Sequence, residues 1–162
     1  MHRESVFVYN ALKFCKQSTS QITLMLTETQ RSDLISAATA VRDNAYAPFS
    51  KFHVGAALLT ESGQVFVGCN VENISYGLTI CAERFAIGAM VAAGESKPTA
   101  IAIVTRGGGT PCGACRQVLA EFAPSLPILL VDADTQAVVE TDLAKLLPSQ
   151  FASEFVGKPT GG

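Results

Sequence analysis

The chain has 162 residues, of which 48% are hydrophobic and 16% are charged, and its formal net charge is −2 at pH 7. A chain of this length usually forms one domain, and a slightly acidic balance argues against a nucleic-acid groove, which normally has a basic excess. No apolar run is long enough to span a bilayer. We therefore expect neither nucleic acid nor a membrane as partner, whereas the low charge favours a surface partly covered by self-association.

The first 24 residues differ in composition from the rest of the chain. They combine lysine and arginine with serine and threonine, and their one acidic residue is Glu4. We predict a disordered N-terminal extension over residues 1–24, one domain over residues 25–156 and a flexible tail over residues 157–162. An organelle transit segment is the alternative interpretation of the extension.

The organised part of the sequence begins with a predicted helix over residues 28–45. Thr27 and Gln30 have the spacing of a capping box, in which each side chain bonds the backbone N–H of the other residue. Apolar residues then recur at helical spacing, and Pro48 is predicted to end the helix.

The segments that follow predict strands alternating with helices. Apolar runs at 54–60 and 64–69 flank Gly63, whose tolerance of positive φ suits a hairpin turn. Further strands are predicted at 100–105, 128–131 and 138–140, and further helices at 81–93, 112–122 and 143–147. This alternation predicts one α/β domain with a mixed central sheet.

Three of the five cysteines form a pattern typical of a metal site. Cys112 and Cys115 form a Cys-x-x-Cys pair, and Cys81 stands upstream at another predicted helix start. Helix N-termini favour thiolates, and three thiolates leave the fourth position of a tetrahedral Zn²⁺ open for water. His2 and His53 are not spaced to close the site, so we predict a catalytic zinc in a reducing compartment, the cytoplasm. A redox dithiol is disfavoured, because the intervening Gly-Ala pair lies outside a thioredoxin-like pattern.

Three charged residues adjoin the cysteines. Glu83 is two positions past Cys81, so on a helix it does not share the face of that ligand, and we predict that it shuttles protons instead of chelating. Arg84 and Arg116 each follow a cluster, and we expect both to hydrogen-bond sulfur and offset the charge of three thiolates. Solvated surface arginines and an ordinary first-turn glutamate are the alternatives.

Five blocks of the sequence carry a family pattern in order and spacing. They are AYAPFSKFHVGAAL at 45–58, GCNVEN at 68–73, CAER at 81–84, PCGACRQ at 111–117, and LLP at 146–148 with Phe151 soon after. Over residues 25–155 the sequence thus resembles the small tetrameric cytidine deaminases.

The resemblance implies a three-layer α/β/α fold with a mixed central sheet. It also implies hydrolytic deamination of cytidine and deoxycytidine to uridine and deoxyuridine plus ammonia, a reaction of pyrimidine salvage. The implied cofactor is Zn²⁺ on Cys81, Cys112 and Cys115, with Glu83 moving a proton to N3 and then to the departing ammonia. The implied assembly is a homotetramer with shared active sites.

The resemblance also assigns substrate contacts. Asn70 and Glu72 match positions that hold the ribose hydroxyls, and the backbone around Ala82, Thr110 and Cys112 would read the pyrimidine edge. Phe52 and Phe151 would stack on the base, Phe151 from a neighbouring subunit, and Tyr76 would reach a 5′-hydroxyl across an interface. For Phe52 a place in the core is the alternative that the residue alone would favour.

The sequence departs from the family at a few positions. Phe49 stands where tyrosine is common, and His53 replaces a usual proline. Two other functions stay open: deamination of a nucleoside antibiotic such as blasticidin S, which the Asn70 and Glu72 pair disfavours, and a zinc-stabilised binding module without chemistry, which an intact Glu83 disfavours. The acidic balance disfavours deamination of polynucleotides.

Overall fold

The structure, a computed structural model, describes residues 26–151. Within that range the chain forms four α-helices and five strands. The helices are α1 (Glu28–Arg42), α2 (Ala82–Ala92), α3 (Gly113–Phe122) and α4 (Leu143–Leu146). The strands are β1 (Gly55–Thr60), β2 (Val65–Cys69), β3 (Pro98–Thr105), β4 (Pro127–Asp132) and β5 (Val138–Asp142). The predicted extension at 1–24 and tail at 157–162 lie outside the described residues.

The five strands form one mixed sheet in the order β2-β1-β3-β4-β5. Only the central β3–β4 pair is parallel, and the other three pairs are antiparallel. The predicted hairpin is β1–β2, and Gly63 has a φ of 83° in its turn, a conformation that glycine adopts without a Cβ penalty. The prediction of a mixed sheet is confirmed.

Helices cover both faces of the sheet, which makes three layers. Leu34 and Ala38 of α1 pack against alternate residues of the central strands, including Ala102 and Leu129. The opposite face packs against α2, α3 and α4, through residues such as Met90 and Leu119. Because successive strand residues point to opposite faces, strands buried on both sides read as continuous apolar runs. Of the helices in the described range, none has the length and apolarity that a membrane span requires.

Two glycines let the helices approach the sheet closely. A Cβ on Gly55 would lie 2.0 Å from the carbonyl oxygen of Ala38 in α1. A Cβ on Gly68 would lie 2.3 Å from the carbonyl oxygen of Ala82, at the start of α2 on the other face. Gly68 therefore determines how closely the start of α2 sits on β2.

The first helix ends earlier than predicted. The capping box of Thr27 and Gln30 is present, but α1 stops at Arg42, not at residue 45. Beyond it the N–H of Tyr46 donates to the carbonyl of Asn70 at 3.0 Å. That contact with a distant segment draws the chain out of the helical path before Pro48 is reached.

Candidate active site

The starts of two helices bring the three predicted zinc ligands together. Cys81 is the N-cap of α2, Cys112 is the N-cap of α3, and Cys115 lies in the first turn of α3. The sulfur of Cys112 is 3.9 Å from that of Cys81 and 3.5 Å from that of Cys115, and all three lie within 4.8 Å of one another. Zn–S bonds of about 2.3 Å in a tetrahedron place sulfurs about 3.8 Å apart. The cluster therefore fits a zinc ion.

Hydrogen bonds among the sulfurs separate the thiol pKa values. Bonds from Cys115 first, and then from Arg84 and Cys112, hold the pKa of Cys81 well below its usual range. The pKa of Cys115 is raised, mainly because its proton is held by the hydrogen bond to Cys81 and also because the thiol is buried. Cys81 is thus a thiolate at neutral pH, whereas Cys115 must release a proton to bind a metal.

The two arginines have different partners. Arg84 donates from Nη2 to the carbonyl of Thr79 at 2.9 Å and lies 3.8 Å from the sulfur of Cys81. Its Nε is buried and has no hydrogen-bond partner among the described residues. The described hydrogen bonds of Arg116 all go to oxygen. It donates to the carbonyls of Pro111 and Leu146 and to Thr110 Oγ1, at 2.7, 2.9 and 3.0 Å. Arg116 therefore ties the segment before Cys112 to the end of α4, and the expected bond to sulfur is not among its contacts.

Glu83 is a buried carboxyl beside the cysteine cluster. Its residue is 4% exposed, and burial raises the pKa of this carboxyl, with the nearby charge of Cys81 raising it further. A carboxyl whose pKa is raised holds a proton more readily than a solvated one, which suits proton exchange with a reacting group.

A pocket of about 220 Å³ opens beside the cysteines and Glu83. Cys81, Cys112 and Glu83 line it together with predicted substrate residues. Its polar lining residues are Ser50, Asn70, Glu72, Thr79, Thr105 and Thr110, and its apolar ones are Phe52, Val54 and Ile103. One cavity thus joins the metal cluster, the buried acid and a polar region.

The polar region is built around Asn70 and Glu72. Asn70 accepts from the N–H of Val54 and donates to the carbonyl of Phe52, both at 2.8 Å. Each of these uses one donor or acceptor position, and the amide offers four. Hydrogen bonds from Ser50 first, and from backbone N–H groups nearby, lower the pKa of Glu72. Both side chains are fixed and still have capacity to bind a hydroxyl.

Of the predicted aromatic contacts, the structure places one in the lining of this pocket and another in the lining of an adjacent pocket. Phe52 lines it and is 43% exposed, so the structure places it outside the core. Tyr76 lines an adjacent pocket of about 420 Å³, which shares Ser50, Glu72 and Thr79 with the first. Phe151 is 61% exposed and its carbonyl accepts from Gln117 Nε2 at 2.8 Å. Ala82, by contrast, is fully buried at the start of α2.

Sequence reasoning assigned no role to several residues of the pocket wall. Thr79 and Thr105 both line it, and Thr105 Oγ1 accepts from the N–H of Gly109 at 2.6 Å. Ser50 belongs to the first family block, but its residue type suggested no particular function. Such hydroxyls have no sequence signal, because the pocket wall that they share is assembled from segments distant in the sequence.

The chain is similar to known proteins in sequence and in fold. A family model described as "Cytidine and deoxycytidylate deaminase zinc-binding region" matches residues 28–129. The cytidine deaminase of Sporosarcina psychrophila is 48% identical over 124 residues, which cover 75% of this chain and 90% of that protein. The crystal structure of cytidine deaminase from Burkholderia pseudomallei matches with a TM-score of 0.71 at 48% identity, covering 78% of this chain and 100% of that one. The structure from Mycobacterium tuberculosis matches with a TM-score of 0.66 at 42% identity, covering 75% and 97%.

The match and the geometry agree on the zinc site. The family model includes Cys81, Cys112 and Cys115, and these are the residues whose sulfurs form a cluster able to hold a metal ion. The expected cofactor, zinc, and the expected three-layer fold are therefore confirmed. This chain belongs to the cytidine and deoxycytidylate deaminase family, whose domain binds zinc.

Proposed function

We propose that this protein is a cytidine deaminase, which hydrolyses cytidine and deoxycytidine to uridine and deoxyuridine plus ammonia in pyrimidine salvage. The observation that carries the proposal is the single pocket in which a three-cysteine cluster, the buried Glu83 and the Asn70–Glu72 pair meet. Its volume of about 220 Å³ is below the usual range for drug-sized ligands, about 300–1,000 Å³, and suits a small polar substrate.

Cys81, Cys112 and Cys115 are the proposed zinc ligands. Zinc bound there supplies Lewis-acid activation of a water molecule. The proximity of Arg84 to the sulfur of Cys81 supports a role in offsetting the ligand charge. Arg116 holds the backbone before Cys112, and so supports the position of that ligand.

Glu83 is the proposed acid and base. It takes a proton from the attacking water and gives it to N3 of the pyrimidine, then takes the second proton from the hydroxyl formed at C4 and gives it to the amino group as the bond from C4 to nitrogen breaks. The raised pKa of its buried carboxyl supports this cycle, because the group must both accept and donate a proton near neutral pH. The water oxygen becomes the carbonyl of uridine, and ammonia leaves.

The remaining polar residues are proposed to bind the sugar and base. Asn70 and Glu72 hold the ribose hydroxyls, since an amide and a carboxylate together can donate to and accept from a diol. The backbone around Ala82 reads the pyrimidine edge, and the exposed ring of Phe52 stacks on the base.

We also propose a homotetramer with shared active sites. The loop that follows Asn70 exposes large apolar side chains, with Ile74 at 78%, Tyr76 at 75% and Leu78 at 66%. Apolar exposure concentrated in one loop supports burial against another copy. The exposed Phe151 then stacks on the base in a neighbouring pocket, and Tyr76 reaches a 5′-hydroxyl across the same interface.

The cytoplasm is the proposed compartment. All four cysteines in the described range are free, and thiols kept for metal binding persist in a reducing environment. The predicted alternative, an organelle transit segment, concerns residues outside the described range.

The test is turnover of cytidine, followed by the loss of its absorbance and the release of ammonia. Wild-type protein loaded with zinc should release one ammonia per cytidine, and Glu83→Ala should abolish turnover with zinc still bound. Absence of turnover by the zinc-loaded wild type would sink the proposal, and turnover of blasticidin S alone would replace it with deamination of an antibiotic. A native mass of about four times the chain mass supports the tetramer, and a monomer contradicts it.

A further inference from the structure

We infer that Ser50 is a positioning residue that joins the sugar-binding carboxylate to the base-stacking ring, so that one hydroxyl aligns both parts of the substrate. The inference rests on the proposed function and deepens it. Ser50 belongs to neither the metal cluster nor the proton-transfer chemistry, yet it lines both pockets described above.

The hydroxyl of Ser50 has two partners at once. Its oxygen donates to Glu72 Oε1 and accepts from the N–H of Phe52 at 3.0 Å. A serine hydroxyl has one hydrogen to donate, and Ser50 donates it to the carboxylate of Glu72. The same atom therefore touches the residue proposed to bind ribose and the backbone of the residue proposed to stack on the base.

The carboxylate is held from both of its oxygens. Glu72 Oε2 accepts from the N–H groups of Phe49 and Ser50 at 2.8 and 3.2 Å, and the described bond to Oε1 comes from the Ser50 hydroxyl. Without that bond, only the hydrogen bonds to Oε2 oppose rotation of the carboxylate about its Cγ–Cδ bond. The hydroxyl thus determines the direction in which the free lone pairs face the pocket.

The turn that leads into Phe52, the residue proposed to stack on the base, is strained. Lys51, between Ser50 and Phe52, has a φ of 58°, the left-handed region that non-glycine residues rarely adopt. Its N–H donates to the carbonyl of Ala47 at 3.1 Å, and the bond from Phe52 N–H to Ser50 Oγ closes the turn locally. Because the turn precedes Phe52 directly, the position of that ring depends on the serine.

A simpler role for Ser50 is to stabilise the turn without influence on the substrate. The two roles differ in their dependence on the sugar. A residue that only stabilises the turn changes the rate for every cytosine nucleoside alike. A residue that aims Glu72 matters most for a substrate that has the hydroxyl that Glu72 accepts, because an enzyme group and a substrate group in contact are coupled.

The experiment measures kcat and KM for cytidine, 2′-deoxycytidine and 3′-deoxycytidine with wild type, Ser50→Ala and Ser50→Thr, all loaded with zinc. Ser50→Ala should lower kcat/KM for cytidine about tenfold, mostly through KM, as loss of one charge-assisted hydrogen bond predicts. For the analogue that lacks the hydroxyl bound by Glu72, the loss should shrink to about twofold. Ser50→Thr keeps the hydroxyl and should restore most of the difference.

The control is Ser62→Ala, which removes a serine hydroxyl that bonds Thr60 in the β1–β2 turn at 2.9 Å. It should leave all three substrates unchanged. Equal losses of Ser50→Ala on the three substrates, no loss at all, or failure of Ser50→Ala to fold would each overturn the inference, the last by showing that the hydroxyl holds the fold. Failure of the wild type to deaminate any of the three would instead sink the proposed function.

Discussion

Replacement of Gly68 by alanine should damage the zinc site without touching a ligand. The added Cβ would lie 2.3 Å from the carbonyl oxygen of Ala82, 2.5 Å from the N of Ala86 and 2.8 Å from the Cβ of Phe85. All three neighbours belong to the first turns of α2, and two are backbone atoms that cannot move alone. The helix start must therefore shift away from β2, and Cys81 is the N-cap of that helix.

The size of the shift sets the expected effect. To reach an ordinary contact the start of α2 must move by about 1 Å, whereas Zn–S distances tolerate only about 0.2 Å. A misplacement of about 1 Å can cost about 100-fold in rate, and overpacking of this kind costs about 1–3 kcal/mol of stability. We expect Gly68→Ala to hold less zinc, with kcat lowered about 100-fold at saturating zinc.

Gly55→Ala is the matched control, because its Cβ would meet α1 at 2.0 Å on the opposite face of the sheet. It should lower the free energy of unfolding by about as much, with zinc stoichiometry unchanged. Thermal unfolding, zinc content by atomic absorption and turnover of cytidine are measured on both variants. Equal zinc loss in the two, or full zinc and activity in Gly68→Ala, would refute the argument.

Three further outcomes are expected. Arg84→Gln should weaken zinc binding about 10–100-fold in competition with a chelator, because the change removes a positive charge beside the sulfur of Cys81. Arg106→Gln changes an exposed arginine, and an equal effect of that variant would contradict the prediction. Hydrogen bonds, chiefly from Ser50, lower the pKa of Glu72 below its ordinary value of 4.5, so its ionised form persists until pH falls through that lower value. Any rise in KM for cytidine that protonation of Glu72 causes should therefore be centred below pH 4.5, and a rise centred above it would contradict the assignment. Return of zinc to the chelated protein at neutral pH should release a proton from Cys115, whose pKa is raised. Calorimetry in two buffers of different ionisation enthalpy measures the number of protons released. Zinc binding without proton release would contradict the prediction.

Local signals in the sequence predicted much of the fold. The capping box predicted the start of α1 because its partners are three residues apart. Gly63 predicted the hairpin turn for the same reason, since the need for positive φ is a property of the turn itself. The predicted end of α1 was wrong, because the position of that end depends on a hydrogen bond between Tyr46 and the distant Asn70.

The candidate site likewise has one part that local signals predicted and another that depends on contacts between distant segments. The cysteine spacing and the presence of only two histidines predicted the zinc cluster. Cys112 and Cys115 are three residues apart, so a helix that begins at this pair keeps their side chains close together. The partners of Arg116 could not be predicted, because Leu146 lies 30 residues away and reaches it only through the packing of α4 on α3. The bridging role of Ser50 was hidden for a similar reason, as its carboxylate partner is 22 residues away.

The starts of α2 and α3 have a consequence for local opening of the protein. Oxygen side chains cap the other two α-helices of the described range, Thr27 for α1 and Asp142 for α4, whereas Cys81 and Cys112 make no side-chain cap bond. A missing cap typically costs about 1 kcal/mol, and the sulfurs in those positions belong to the cluster that could hold a metal ion. We therefore expect loss of zinc to increase fraying of these first turns, which include Glu83, and amide hydrogen exchange measures that fraying.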